Sequence, residues 1–170
     1  SVYCNKPYPG YEGNTGRLTD GKIEKDGMTT VSAEGAKYFE IDLGGYYDVK
    51  AIITYTRIGC DYNDSLGVTA YASLVQLPEG SITSAASLGD CYSAEDGSKT
   101  ITLEKTVKAR YMYFYKTRQG MLRFSEIEVK ALVPMTGSVE YTMPSDGESG
   151  VVNSSACYKN IEIGFCETMN

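Results

Sequence analysis

The chain predicts an all-β fold, a sandwich or barrel of short antiparallel strands. Three observations carry this. Apolar and polar residues alternate over short runs, the period of a strand with one buried face. Fifteen tyrosines, 18 glycines and many β-branched residues fill the 170 positions, with polar turn clusters between the runs. No helical period runs far enough to define a helix.

The elements follow in order. Residues 1–30 are rich in Gly, Asn, Asp, Pro and Lys and read as loop with short turns. Phe39, Ile41 and Leu43 alternate with Glu40 and Asp42, a half-buried strand ended by Gly44-Gly45. Val49, Ala51, Ile53 and Tyr55 mark a second strand, ending at Arg57. Residues 66–74 form a third, and 76–98 a long Gly/Ser/Ala-rich connection. Residues 99–103 make a short strand. Residues 109–115 and 122–129 make two more, joined by the loop 116–121. In the last strand Leu122 and Phe124 share one phase, Ile127 and Val129 the other. The switch at Ser125-Glu126 reads as a β-bulge that re-aims Glu126. A carboxylate at such a break in an apolar strand needs a partner.

From Pro134 the composition turns Ser/Gly/Pro-rich and acidic, like a linker or an extended wrap. Residues 157–166 read as a short strand bracketed by cysteines. The expected organisation is a sandwich over 1–132 and a cysteine-containing extension over 133–170. That extension either packs on the sandwich or begins a further segment. Ser1 in place of Met suggests a trimmed N-terminus.

Lys plus Arg is 16 and Asp plus Glu is 22, a net charge of −6. Nucleic-acid binding, which draws on a basic surface, is not expected. Anionic membrane lipid is also disfavoured. No apolar run approaches membrane-spanning length. With no histidine in the chain, Ser/His/Asp and Cys/His catalytic sets are impossible. The dispersed glycines follow no nucleotide-binding spacing, so no enzyme activity is expected. Sequons at Asn63 and Asn153, with five dispersed cysteines and no C-x-x-C pair, favour an oxidising, extracellular setting.

The order of motifs then matches a family. Gly16-Arg17-Leu18-Thr19-Asp20-Gly21 is followed by Tyr38-Phe39-Glu40-Ile41-Asp42-Leu43-Gly44, and by Val49-Lys50-Ala51-Ile52-Ile53. Next come Val68-Thr69-Ala70-Tyr71-Ala72-Ser73, Ala109-Arg110-Tyr111-Met112-Tyr113 and Phe124-Ser125-Glu126-Ile127-Glu128-Val129. Over residues 1–132 the chain resembles the discoidin family of coagulation-factor C-type domains, F-type lectins and related carbohydrate-binding modules. The resemblance implies a galactose-binding-domain-like jelly roll of about eight strands with ligand loops at one end. It departs at Tyr38-Phe39, where the family usually has Trp, and at Ala131-Leu132, where many members have Cys.

The resemblance also implies a structural calcium ion. The matching acids are Asp20 and Glu126, with Thr30 and the carbonyls of Arg17 and Lys22 as helpers. Such a shell mixes carboxylates and carbonyls, as calcium requires. The competing reading is calcium-free, with Asp20 capping a turn and Glu126 paired to Arg17, Lys22 or Arg123.

For ligand contact, Arg57, Asp61, Arg118 and Gln119 offer planar hydrogen-bonding groups, and Tyr62 an aromatic face for a sugar ring. F-type lectins read fucose with a histidine and two basic residues. Here histidine is absent and Ser65 stands at the second basic position, so fucose specificity is not expected. A glycan on Asn63 would move the ligand site toward 116–121 or 22–28. Met28, Met121 and Tyr62 are too sparse to act as lipid spikes. Cys60 is expected to pair with Cys91, and Cys4 with Cys157 or Cys166, leaving one thiol to link subunits. The function expected is extracellular recognition of a glycan or glycoprotein. The alternative is a structural or protein–protein module that self-associates or assembles through its tail.

Overall fold

The structure, a computed structural model, describes residues 1–23, 27–31, 35–56, 62–92, 97–134 and 158–163, with backbone only at 62–63, 133–134 and 158–163. Nine strands are described: β1 (Val2–Cys4), β2 (Met28–Thr29), β3 (Lys37–Tyr55), β4 (Val68–Ser73), β5 (Ala86–Asp90), β6 (Ser98–Lys116), β7 (Arg123–Phe124), β8 (Glu126–Pro134) and β9 (Tyr158–Ile163). Their ladders are antiparallel. One sheet runs β5-β4-β6-β3-β8-β9 with β1 beside β3, and β2 and β7 form a separate ribbon.

Two long strands organise the rest. Gly44-Gly45 was expected to end a strand, but β3 runs through it. The ladder with β6 shifts register between Asp42 and Tyr47, Gly44 takes φ 78°, and its amide donates to Asp42 Oδ1 at 2.9 Å. The glycine turns the strand without breaking it. Its partner β6 likewise unites the two segments read as separate strands, 99–103 and 109–115. β3 pairs with β1 over its first half and with β8 over its second. Phe39 and Ile41 from one half and Val49 and Ile52 from the other face a single core. Phe124 fills its centre, 6.4 Å from Phe39 and 6.2 Å from Phe114 between ring centroids. Each such fully buried aromatic contributes about 1.5–3 kcal/mol by burial alone.

The connection 76–98 is more structured than its composition implies. It holds a 3₁₀ turn (Glu79–Ser84) and the edge strand β5. Ile82 of that turn packs on Tyr38 and Tyr113 in a second cluster. Along β6 the alternation therefore buries both faces, Met112 and Phe114 in the main core and Tyr113 beneath the turn. The amide of Leu77 donates to the Tyr113 hydroxyl at 2.7 Å.

The phase break at Ser125-Glu126 is a change of sheet rather than a bulge within one strand. β7 pairs with β2, and β8, one residue later, pairs with β3. Ser125 anchors the crossing. Its amide donates to the Tyr55 carbonyl at 2.8 Å, and its hydroxyl lies within hydrogen-bond reach of the Tyr55 and Thr56 carbonyls. At the far edge, β9 pairs with β8 from Val129↔Ile163 to Pro134↔Tyr158.

Candidate functional site

The β2–β7 ribbon builds the wall of a cavity. Met28 and Phe124, opposite each other, are buried in the core. Strand alternation then turns the next pair, Thr29 and Arg123, to the other face. There they meet Tyr8 and Tyr11 from the N-terminal loop and Met121 from the β6–β7 loop, lining a cavity of about 240 Å³. The two tyrosine rings stand edge to face, 6.3 Å apart at 81°. The loop is held there by the Tyr8 amide, which donates a hydrogen bond to the Thr29 carbonyl at 2.9 Å.

Polar groups in this wall are only partly satisfied. Arg123 Nη1 pairs with Asp64 Oδ2 at 3.0 Å, and Nη2 donates to Met121 Sδ at 2.8 Å. Arg123 Nε and Thr29 Oγ1 are buried without a hydrogen-bond partner. An unpaired buried polar group costs about 1–3 kcal/mol, so two in one wall call for a partner, a water or a ligand hydroxyl. Buried Lys116 braces the site from β6, donating to the carbonyls of Asp64 at 2.8 Å and Met121 at 2.6 Å. It ties the β6–β7 loop to the 3₁₀ turn Tyr62–Ser65.

The second candidate centre lies at the sheet crossing. Glu126 is buried, and its Oε1 accepts from the Gly21 amide at 3.3 Å. Its Oε2 is buried and unpartnered. Burial first, then repulsion from Asp20, pushes this carboxyl up to about 7 against opposing backbone hydrogen bonds. Asp20 Oδ1 accepts from the Lys22 amide at 3.0 Å, and Gly21 takes φ 78°, closing the turn over Glu126. Among the described residues no three His, Cys, Asp or Glu side chains cluster. An ion here would thus draw on two acids, backbone carbonyls and water. The orphaned Oε2 would fit that role, since a hard cation would supply a partner there.

No protein-family model matches the chain, and no curated protein matches it by sequence. Solved structures do match. An F-lectin (fucolectin) from striped bass (Morone saxatilis) serum superposes with a TM-score of 0.67 at 20% identity, over 81% of this chain and 49% of that one. The chain thus spans about half of the fucolectin. A fucose-binding module of Streptococcus pneumoniae gives 0.59 at 17% identity, over 76% and 91%. A family 32 carbohydrate-binding module of Clostridium perfringens, solved with galactose, gives 0.59 at 15%, over 76% and 91%. The fold is the discoidin-like, galactose-binding-domain β-sandwich.

Within this discoidin-like fold the sequence-predicted residues divide. Asp20 and Glu126 come together as described. Arg17 lies on the 3₁₀ turn Thr15–Leu18 and Lys22 just past Asp20, both exposed. Thr30 is buried, and its hydroxyl accepts from the Leu122 amide at 2.8 Å and donates to the Val31 carbonyl at 3.3 Å. Of the alternative partners for Glu126, Arg123 is paired with Asp64. Arg118 and Gln119 are exposed on the β6–β7 loop, Arg118 beside Gly67. Tyr62 and Asn63 begin a 3₁₀ turn, and Arg57 and Asp61 lie outside the described residues. Cys4 and Cys91 are buried free thiols, each pushed upward by burial, Cys4 to about 11. Cys60, Cys157, Cys166 and Asn153 lie outside the described residues.

Tyr8, Tyr11 and Thr29 are not among the sequence-predicted residues, and Arg123 is one only as a possible partner of Glu126. A signal existed for Arg123, since it interrupts the apolar pair Leu122 and Phe124 and must face away from the core. Nothing local marks Tyr8 and Tyr11, which reach the cavity through a long loop.

Proposed function

We propose that this domain is a non-catalytic glycan-binding module. It seats a sugar ring in the cavity of Tyr8, Tyr11, Thr29, Met121 and Arg123. The observation that carries the reading is that one cavity is lined by two side chains with an unpartnered buried polar atom each and by a pair of tyrosine rings. A sugar ring needs both: donors and acceptors for its hydroxyls, and a ring face or edge for its C–H groups. About 240 Å³ suits one small ring better than a drug-sized ligand. The named activities of similar folds, fucose and galactose binding, support the same class. An extracellular setting accords with that class and with the two sequons.

A structural calcium ion belongs to this proposal. Asp20 and Glu126 would hold it, with carbonyls of Arg17 and Lys22. Its contribution would be to fix the N-terminal loop that carries Tyr8 and Tyr11.

The test is glycan-array binding with and without a chelator, for wild type and Thr29→Val. Sugar binding that falls at least tenfold in Thr29→Val with an unchanged melting temperature supports the cavity. No sugar bound at any calcium level, together with reducible oligomers on a gel, would replace this reading with an assembly module.

A further inference from the structure

We infer that Asp64, acting through Arg123, restricts the cavity to uncharged sugars. This rests on the glycan reading above and adds the residue that sets the ligand's charge class.

Arginine usually takes an acidic ligand through two parallel N–H bonds from one edge of its planar fork. Here each terminal nitrogen of the fork already has a partner. Nη1 is held by Asp64 Oδ2 at 3.0 Å and Nη2 by Met121 Sδ at 2.8 Å. The side chains of Arg123 and Asp64 are 16% and 19% exposed, so water and salt screen the pair weakly. Only Nε lacks a partner. A carboxylate or sulfate approaching Nε would gain one hydrogen bond from a cation whose charge Asp64 already balances. It would also be repelled by the Asp64 carboxylate held on the same guanidinium, 3.0 Å from Nη1.

A neutral hydroxyl meets no such penalty. It can accept from Nε, while Thr29 Oγ1, across the ribbon from Arg123, can donate to or accept from the same hydroxyl or its neighbour. Lys116, which braces this wall, directs its ammonium to the carbonyls of Asp64 and Met121. Tyr8 and Tyr11 add ring edges and hydroxyls to the lining. Asp64 is therefore a positioning residue: it holds the guanidinium by Nη1 and offsets its charge.

The experiment compares matched pairs on a glycan array, each neutral glycan beside its uronic or sulfated counterpart. Wild type, Asp64→Asn and Asp64→Glu are read at two salt concentrations, with melting temperatures taken in parallel. Wild type is expected to prefer the neutral member of each pair by at least tenfold. Asp64→Asn should narrow that preference at least tenfold by gaining acidic binding, and Asp64→Glu should restore it. A merely structural role would weaken both members equally. If Asp64→Asn does not fold, the wild-type and Asp64→Glu comparison still decides. Wild type binding acidic members as well as neutral ones overturns this inference and leaves the glycan reading standing. Binding of neither series overturns both.

Discussion

Gly27 lies so close to Phe124 that a β-carbon on it would overlap the Phe124 carbonyl oxygen and the Ser125 Cα. Both contacts are backbone, so no side chain can swing aside. This approach lets β2 enter the ribbon beside β7 and put Thr29 opposite Arg123. Gly27→Ala must therefore push β2 away. Overpacking of this kind costs about 1–3 kcal/mol or more. The expected result is a melting temperature lower by roughly 5–10 °C, with sugar affinity falling alongside. Calorimetry showing an unchanged transition would contradict the close approach.

Lys116 makes a separate case. Its ammonium holds two carbonyls on either side of the cavity rim, from Asp64 and Met121, while only 2% of the residue is exposed. Lys116→Met keeps the stem and removes the donors. Charged hydrogen bonds contribute about 1.5–3 kcal/mol, offset here by relief of a buried charge. Stability should fall by about 2 kcal/mol. Amide exchange should quicken in 117–121 more than in β4 or β6. Uniform exchange across all three would deny Lys116 its bracing role.

Stability and recognition can be pulled apart at the second cluster. Tyr113 is fully buried, and its hydroxyl accepts from the Leu77 amide. The same phenol also bonds Glu40, whose carboxyl is raised chiefly by its own burial. Tyr113→Phe strands the Leu77 amide and should cost about 1–3 kcal/mol. Sugar affinity should stay within about twofold, because none of the cavity residues belongs to this cluster. A large affinity loss would show that the cavity depends on this face.

The sequence and the structure part company where contacts are long-range. The alternation of Phe39 with Glu40 and of Tyr113 with Phe114 was legible because strand period is local. Gly44-Gly45 misled because glycine marks turns and bulges alike, and the choice was made by the uninterrupted partner β6. The phase break before Glu126 was visible, but its cause, a change of sheet at Ser125, depends on β2 and β3 belonging to different sheets. Glu126 could be singled out because a lone acid among apolar residues is a local anomaly. The pairing of Arg123 with Asp64 crosses 59 positions in sequence and leaves no local trace. The resemblance supplied the fold and the paired acids, but not the cavity, whose tyrosines come from a loop without periodicity.

Glu126 gives the last prediction its sign. Its carboxyl is raised from the ordinary 4.5 to about 7 in the folded protein. Without an ion, the folded chain keeps a proton there that the unfolded chain has already lost. That stabilising effect is complete below about pH 4.5 and is lost as pH rises to about 7. The full window corresponds to roughly 3 kcal/mol at most. In chelator, the stability of wild type relative to Glu126→Gln should therefore fall across pH 4.5–7 and level off above. Calcium, replacing the proton, should recover it, raising the melting temperature more at pH 8 than at pH 5. Glu126→Gln should show neither the slope nor the calcium response. A wild-type protein indifferent to calcium at both pH values would remove the ion from Glu126. The pH slope alone would then remain as the signature of a buried, unpartnered acid.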